Sequence, residues 1–226
     1  MKPSLNALIV GAGGVASYML PALARSFELK GILMDADTLE EHNLDRQIFK
    51  SSQVGKNKAI SLRQHHKLTG LLPLPEYIDD AFIQRNREGL KNIEVIIVLV
   101  DNHPARRSCI LAAQQLDIPI LLCGNEYETS QAIYYHPDMH ESLKPEERYP
   151  EIMTSDEGSP INCTGEALES TPQLAIANQV AAGLGNFLLW LWHGDKHYIP
   201  HETMGHEPIE ITTTYSGTRT TKINGQ

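Results

Sequence analysis

An apolar run over residues 5–10 breaks into Gly11-Ala12-Gly13-Gly14, and apolar residues then recur at helical spacing over 15–27. No other stretch limits the possible folds as strongly. A continuous apolar run is the mark of a strand buried on both faces. Glycines between such a strand and a helix leave bare backbone N–H groups at the helix N-terminus. A junction of this kind belongs to a strand–helix–strand unit in a parallel sheet. The alternation continues along the chain. Strands are expected over 31–34, 72–78, 93–100 and 118–122, and helices over 56–67, 81–90 and 105–116. The predicted fold class is α/β: a Rossmann-like, mostly parallel sheet with helices on both faces and right-handed crossovers.

Beyond residue 122 the pattern changes. Residues 131–135 read as a strand, and 136–163 are polar, proline-bearing and aperiodic, which predicts a long functional crossover loop. Helical periodicity returns over 171–192, with Pro172 suited to the first turn and Gly194 to the end. The threonine-rich tail, 209–226, predicts a C-terminal hairpin around Ser216-Gly217. Residues 1–226 are expected to form one domain.

Composition excludes several function classes. Lys and Arg number 19 against 28 Asp and Glu, a net charge of −9, so broad nucleic-acid or anionic-membrane binding is not expected. Any polyanion must be gripped by a few placed cations. Lys2, the apolar stretch after it and Pro21-Ala22-Leu23-Ala24 imitate a signal peptide, but Gly11, Gly13 and Gly14 interrupt its core. The apolar run over 187–192 is too short to span a bilayer. The three cysteines, Cys109, Cys123 and Cys163, form no C-x-x-C pair. An odd count argues against a disulfide framework, so a cytoplasmic setting is expected.

The polar motifs converge on a nucleotide. Gly11, Gly13 and Gly14 can cradle phosphate at the strand-to-helix turn. Asp35 lies 24 residues beyond Gly11, near the end of the second strand, where a carboxylate can bind ribose hydroxyls. These features alone would suit NAD. The following residues argue otherwise, because Arg46, Lys56 and Lys58 place three cations just past the ribose-binding strand. Added cations suit a triphosphate whose charge must be stabilised as pyrophosphate leaves. Asp101 ends the strongest strand, where a carboxylate beside phosphates can hold magnesium.

In their order, Gly11-Ala-Gly-Gly-Val, Asp35-Ala-Asp37, Asn43-Leu-Asp-Arg46-Gln47, Gly55-Lys-Asn-Lys58 and Asp101-Asn102 with Arg106 resemble the ThiF/MoeB branch of the ubiquitin-activating enzyme superfamily. The resemblance runs from about residue 5 to 122 and returns in the last helix. It implies a ribose ligand in Asp35, ATP phosphate contacts in Arg46 and Lys58, phosphate ordering by Asn43 and magnesium at Asp101. Asp37 and Gln47 fall within the same nucleotide-binding motifs. It also implies ATP and Mg2+ as cofactors, adenylation of the C-terminal glycine of a ubiquitin-like protein, and a homodimer. The chain departs from the family pattern in lacking two C-x-x-C pairs, so no structural zinc is expected. With the first strand starting at residue 5, the helical N-terminal extension that often supplies an arginine across the family's dimer is not expected either.

Cys163, after the long loop, resembles in position the family's sulfur-carrying cysteine, and a thiolate there could accept the acyl group as a thioester. The alternative is a small buried hydrophobe, the reading that also suits Cys109 and Cys123. His193, His197, His201 and His206 cluster in sequence, but His201-Glu202 lacks a second histidine at metalloprotease spacing. They are expected to be solvated loop residues. Other functions to be tested are an NAD(P)-dependent oxidoreductase, activation of a small-molecule or tRNA-borne carboxylate, and a silent scaffolding partner.

Overall fold

The computed structural model describes residues 2–125, 129–137, 139, 144–154, 174–198 and 210–214. A seven-stranded sheet carries the order β3-β2-β1-β4-β5-β6-β7. Five strands are parallel: β1 (Ser4–Val10), β2 (Glu28–Met34), β3 (Leu71–Leu74), β4 (Val95–Val98) and β5 (Ile120–Asn125). Strands β6 (Thr129–Tyr135) and β7 (Glu210–Thr214) extend it antiparallel. The expected α/β class is observed.

Side chains alternate across β1 and build two cores. Leu5, Ala7 and Ile9 face α1 (Gly14–Ser26), α2 (Lys58–His65) and the last helix, α7 (Ala175–Tyr198). Leu8 and Val10 face α3 (Asp80–Leu90) and α4 (His103–Leu116). Helices therefore cover both faces, which is why the central strands read as unbroken apolar runs.

Register sets up the site. Val10 pairs with Met34 and with Val98, Met34 with Leu74, and Val98 with Leu122. The carboxyl ends of the five parallel strands are level, so Gly11, Asp35, Leu99 and Cys123 emerge along one edge. Strand order reverses between β1 and β4, which opens a crevice there.

Three segments differ from expectation. The strand expected over 72–78 is β3, only Leu71–Leu74, at the sheet edge where Pro73 is tolerated. The loop expected over 136–163 contains two one-turn helices, α5 (Pro145–Arg148) and α6 (Glu151–Thr154), and 155–163 lie outside the described residues. In the tail, β7 pairs with β6, and the remainder of the expected hairpin lies outside the described residues. His193 is a correction: it is no solvated loop residue but sits on α7, 6% exposed, its ring 5.1 Å from that of Phe27. The apolar face of α7 simply continues past Trp192.

Candidate nucleotide site

One cavity of about 590 Å³ opens at the level strand ends. Its lining includes Gly11, Gly13, Gly14, Asp35, Asp37, Asn43, Arg46, Gln47, Lys58 and Asp101. Of the three expected cations Lys56 is the exception, exposed and outside the lining. Cys163 lies outside the described residues.

The glycine turn explains its own composition. Gly11 has φ +102°, and a Cβ there would stand 2.8 Å from the Leu99 carbonyl group. Only glycine fits both the dihedral and the close approach. A Cβ on Gly13 would meet nothing nearer than Gln47 Nε2 at 3.8 Å, so a methyl group would occupy space the cavity keeps open. Bare backbone at a helix start beside open space suits phosphate.

Asp35 is fixed before any ligand arrives. Its Oδ2 accepts the Ala12 N–H at 2.7 Å and its Oδ1 accepts the Asp37 N–H at 2.8 Å. Burial raises its pKa above the usual 3.8, and the two N–H bonds and the Lys58 charge only partly offset that. Each oxygen keeps a lone pair for a ribose hydroxyl. Asp37 behaves differently. Burial opposes its ionisation, but Lys58 Nζ at 3.0 Å and the Tyr77 hydroxyl at 2.8 Å outweigh it and hold its pKa below the usual value. Asn57 caps α2 by accepting the Ile60 N–H, and its Nδ2 donates to the carbonyls of Asp35 and Asp37. The start of α2, and with it Lys58, is thereby tied to the end of β2.

Asn43 has a local structural role beside its place in the lining. It is 4% exposed, and its Oδ1 accepts the Glu40 N–H at the start of a 3-10 helix, Glu41–Asp45. Arg46 and Gln47 follow directly. Arg46 Nε, Gln47 Oε1 and Asn178 Oδ1 are buried with no hydrogen-bond partner among the described residues. Unmade bonds on three buried groups around one cavity fit a polar ligand.

Two residues escaped the sequence reading. Asn178, on α7, is fully buried and donates through Nδ2 to the Arg46 carbonyl at 3.2 Å. A Cβ on Gly14 would overlap its carboxamide. The third glycine of the turn is thus needed for α7 to approach. Tyr77, expected within a strand, follows β3 and reaches Asp37. Cys109 and Cys123 are buried, and burial pushes the Cys123 thiol up to about 12. Among the described residues no three His, Cys, Asp or Glu side chains group to hold a metal. No described helix is long and apolar enough to cross a membrane.

Comparison with known proteins agrees with this geometry. Residues 3–187 match the ThiF family. The chain is 24% identical over 143 residues to a sulfur carrier protein adenylyltransferase of Thermus thermophilus, covering 62% of this chain and 53% of that protein. It is 29% identical over 119 residues to a tRNA threonylcarbamoyladenosine dehydratase of Haemophilus influenzae, covering 51% and 46%. The chain spans about half the length of these curated relatives. Among solved structures, E. coli MccB with AMPCPP and MccA superposes with TM-score 0.69 at 19% identity, covering 97% of this chain and 63% of that one. E. coli MccB with ATP gives 0.68 at 20% identity with the same coverage, and PaaA gives 0.68 at 17%, covering 97% and 72%. These likenesses show the fold.

Proposed function

The chain belongs to the ThiF family, and from that premise we propose that it is an ATP-dependent adenylyltransferase that activates a carboxylate, the C-terminal glycine of a ubiquitin-like protein. The observation that carries this reading is the single cavity joining the glycine turn, Asp35, Arg46 and Lys58. A dinucleotide's pyrophosphate is satisfied by a glycine turn and helix dipole. The two added cations favour a triphosphate over NAD(P).

In the proposed reaction a carboxylate oxygen bonds to the α-phosphorus of ATP. The bond from that phosphorus to the bridging oxygen breaks, and pyrophosphate departs with the electron pair. Asp35 accepts the ribose hydroxyls, backbone N–H groups of the glycine turn meet phosphate oxygens, and Arg46 and Lys58 stabilise charge gathering on the leaving group. Gln47 and Asn43 keep the Arg46 turn in place. Asp101 stands exposed at the cavity rim. Asp101 is the carboxylate that would hold Mg2+, which when bound would neutralise phosphate charge. Residues 1–226 act as one adenylation domain. Ile176, Phe187 and Trp190, each more than half exposed on α7, offer apolar surface for the homodimer in this reading.

The test is ATP–pyrophosphate exchange with candidate ubiquitin-like proteins, with small carboxylates and with tRNA as parallel substrates. Exchange driven only by tRNA would favour a tRNA-borne carboxylate, the substrate type suggested by the dehydratase relative. NAD binding without ATP binding would favour the oxidoreductase. Binding of ATP without exchange on any substrate would favour the scaffolding partner. A thiol-sensitive adduct, absent in Cys163→Ala, would add thioester transfer to adenylation.

Two further outcomes follow from the site. Because the Asp35 pKa lies above 3.8, ribose binding weakens as pH falls through that raised value, before ordinary carboxylates protonate. Calorimetric titration of a non-hydrolysable ATP analogue from about pH 8 down to about pH 4 reads this, and Asp35→Asn flattens the profile. Asp101→Asn raises the magnesium needed for half-maximal exchange by roughly tenfold, or about 1.4 kcal/mol, while metal-free nucleotide binding is unchanged. Equal loss of both would make Asp101 structural.

A further inference from the structure

Beside the nucleotide cavity lies a second chamber of about 30 Å³, and Arg106 and Cys123 belong to the walls of both. His103, Gln131, Tyr149 and Glu151 supply its other polar lining. His103 is 3% exposed, and neither ring nitrogen has a hydrogen-bond partner among the described residues. A buried imidazole with both nitrogens open among the described residues is a polar group that a ligand can satisfy. Gln131 Nε2 donates to the Tyr149 hydroxyl at 2.8 Å, which fixes the opposite wall. Arg106 Nε is anchored on the Val100 carbonyl at 3.1 Å, and Arg106 enters no ion pair among the described residues.

The place of this chamber along the sheet says what it faces. In the proposed reading, ribose sits at the end of β2 and phosphates at the turn after β1. Strand β5 stands three strand spacings from β2, about 14 Å across the sheet. The β4–β5 end, where Arg106 and Cys123 stand, is left for the acyl substrate.

We propose that Arg106 and the His103 chamber form an acyl-end subsite: Arg106 receives the carboxylate, and His103 holds one hydroxyl-sized group beside it that both donates and accepts a hydrogen bond. The inference rests on the adenylation reading for the identity of the substrate as a carboxylate. Burial lowers the His103 pKa and the Arg106 and Arg107 charges add to this, against an opposing pull from Glu151, so the ring is neutral at pH 7. A neutral imidazole has one donor and one acceptor, the complement of a hydroxyl. A volume of about 30 Å³ has room for one small polar group. The hydroxyl comes from the terminal residue of the substrate or from a water held beside a terminal glycine.

Glycolate and propionate are isosteric carboxylates that differ by a hydroxyl in place of a methyl, and their binding needs no catalysis. Each is titrated into the protein with a non-hydrolysable ATP analogue bound, following the His103 ring resonances by NMR. Glycolate is expected to shift them and to bind at least about tenfold tighter than propionate. His103→Phe should abolish the preference while nucleotide affinity is kept, and Arg106→Ala should weaken both carboxylates. Exchange with peptide tails ending in Ser, Gly and Val distinguishes the source: a Ser preference assigns the hydroxyl to substrate, and equal Ser and Gly with Val rejected assigns it to water. Equal binding of glycolate and propionate, or His103 resonances unmoved by either, overturns the subsite. A wild-type protein that shows the glycolate preference but no exchange with any substrate overturns the adenylation reading instead.

Discussion

Lys58→Ala slows ATP–pyrophosphate exchange by about a hundredfold or more, the scale of losing one preorganised charge from a transition state. The Lys58 side chain is only 13% exposed, and its ammonium is paired with Asp37 at 3.0 Å. It is therefore held in place before phosphate arrives and needs no reordering during the reaction. Removing it also leaves the Asp37 carboxylate facing the cavity with only Tyr77 as a side-chain partner, which adds repulsion toward phosphate. Arg46→Ala is expected to fall in the same range, because its buried Nε has no hydrogen-bond partner among the described residues and is left for a ligand. Asp37→Asn provides the contrast. It frees Lys58 rather than deleting it, so exchange should change by no more than a few-fold. The pair contributes stability above the ordinary carboxylate pKa and loses it only as pH falls below that value, because the Asp37 pKa is depressed. Assays near neutral pH therefore read charge placement and not a titration of this pair. Full exchange by Lys58→Ala would remove Lys58 from the phosphate site.

The residues that sequence reading brought together share one property: each follows a strand or caps the helix after it. Gly11, Asp35 and Asp101 end apolar runs that are legible as strands. Parallel pairing in register then leaves those ends level, which is a consequence of topology rather than of any local motif. Arg46 and Lys58 were legible as cations after β2, with their place at phosphate implied by the family resemblance. It is Asn57, donating to the Asp35 and Asp37 carbonyls, that returns Lys58 to the end of β2. Tyr77 was misread because 72–78 is apolar enough for a strand, although Pro73 and Pro75 limit pairing to Leu71–Leu74. Asn178 gave no signal. It lies 132 residues from Arg46 inside a helix whose apolar spacing advertises packing, and its polar contact exists only once α7 crosses the glycine turn. His193 was misjudged for a related reason. A histidine read one residue at a time looks solvated, whereas on α7 it falls on the face that covers Phe27. Threonines marked β7 as strand but could not name β6 as its neighbour, since antiparallel pairing at a sheet edge depends on the fold already being assembled.

Asn178 and Gly14 yield the other large effect, because they are coupled by shape. Alanine for glycine within a helix ordinarily gains up to about 1 kcal/mol. At Gly14 the sign reverses, since the new Cβ overlaps the Asn178 carboxamide, which is fully buried and held on the Arg46 carbonyl. Gly14→Ala is expected to cost about 1–3 kcal/mol, the range of an overpacked core. Asn178→Ala removes the clash partner but also the donor to the Arg46 carbonyl, at a cost of about 1–3 kcal/mol. The double variant places the Gly14 methyl group into the space the carboxamide vacates. Its loss should fall short of the sum of the singles by about 1 kcal/mol or more, as contacting residues do. Asn178→Asp is the severest change. It buries a carboxylate against the Arg46 carbonyl and beside the phosphate cavity with no cation paired to it, at about 3–5 kcal/mol. Urea unfolding midpoints measure the stability cycle, and titration of an ATP analogue measures the site. Strict additivity of Gly14→Ala and Asn178→Ala would mean that the two do not touch in solution. Unchanged nucleotide affinity in a folded Asn178→Asp protein would mean that α7 does not hold the Arg46 turn in register with the glycine loop.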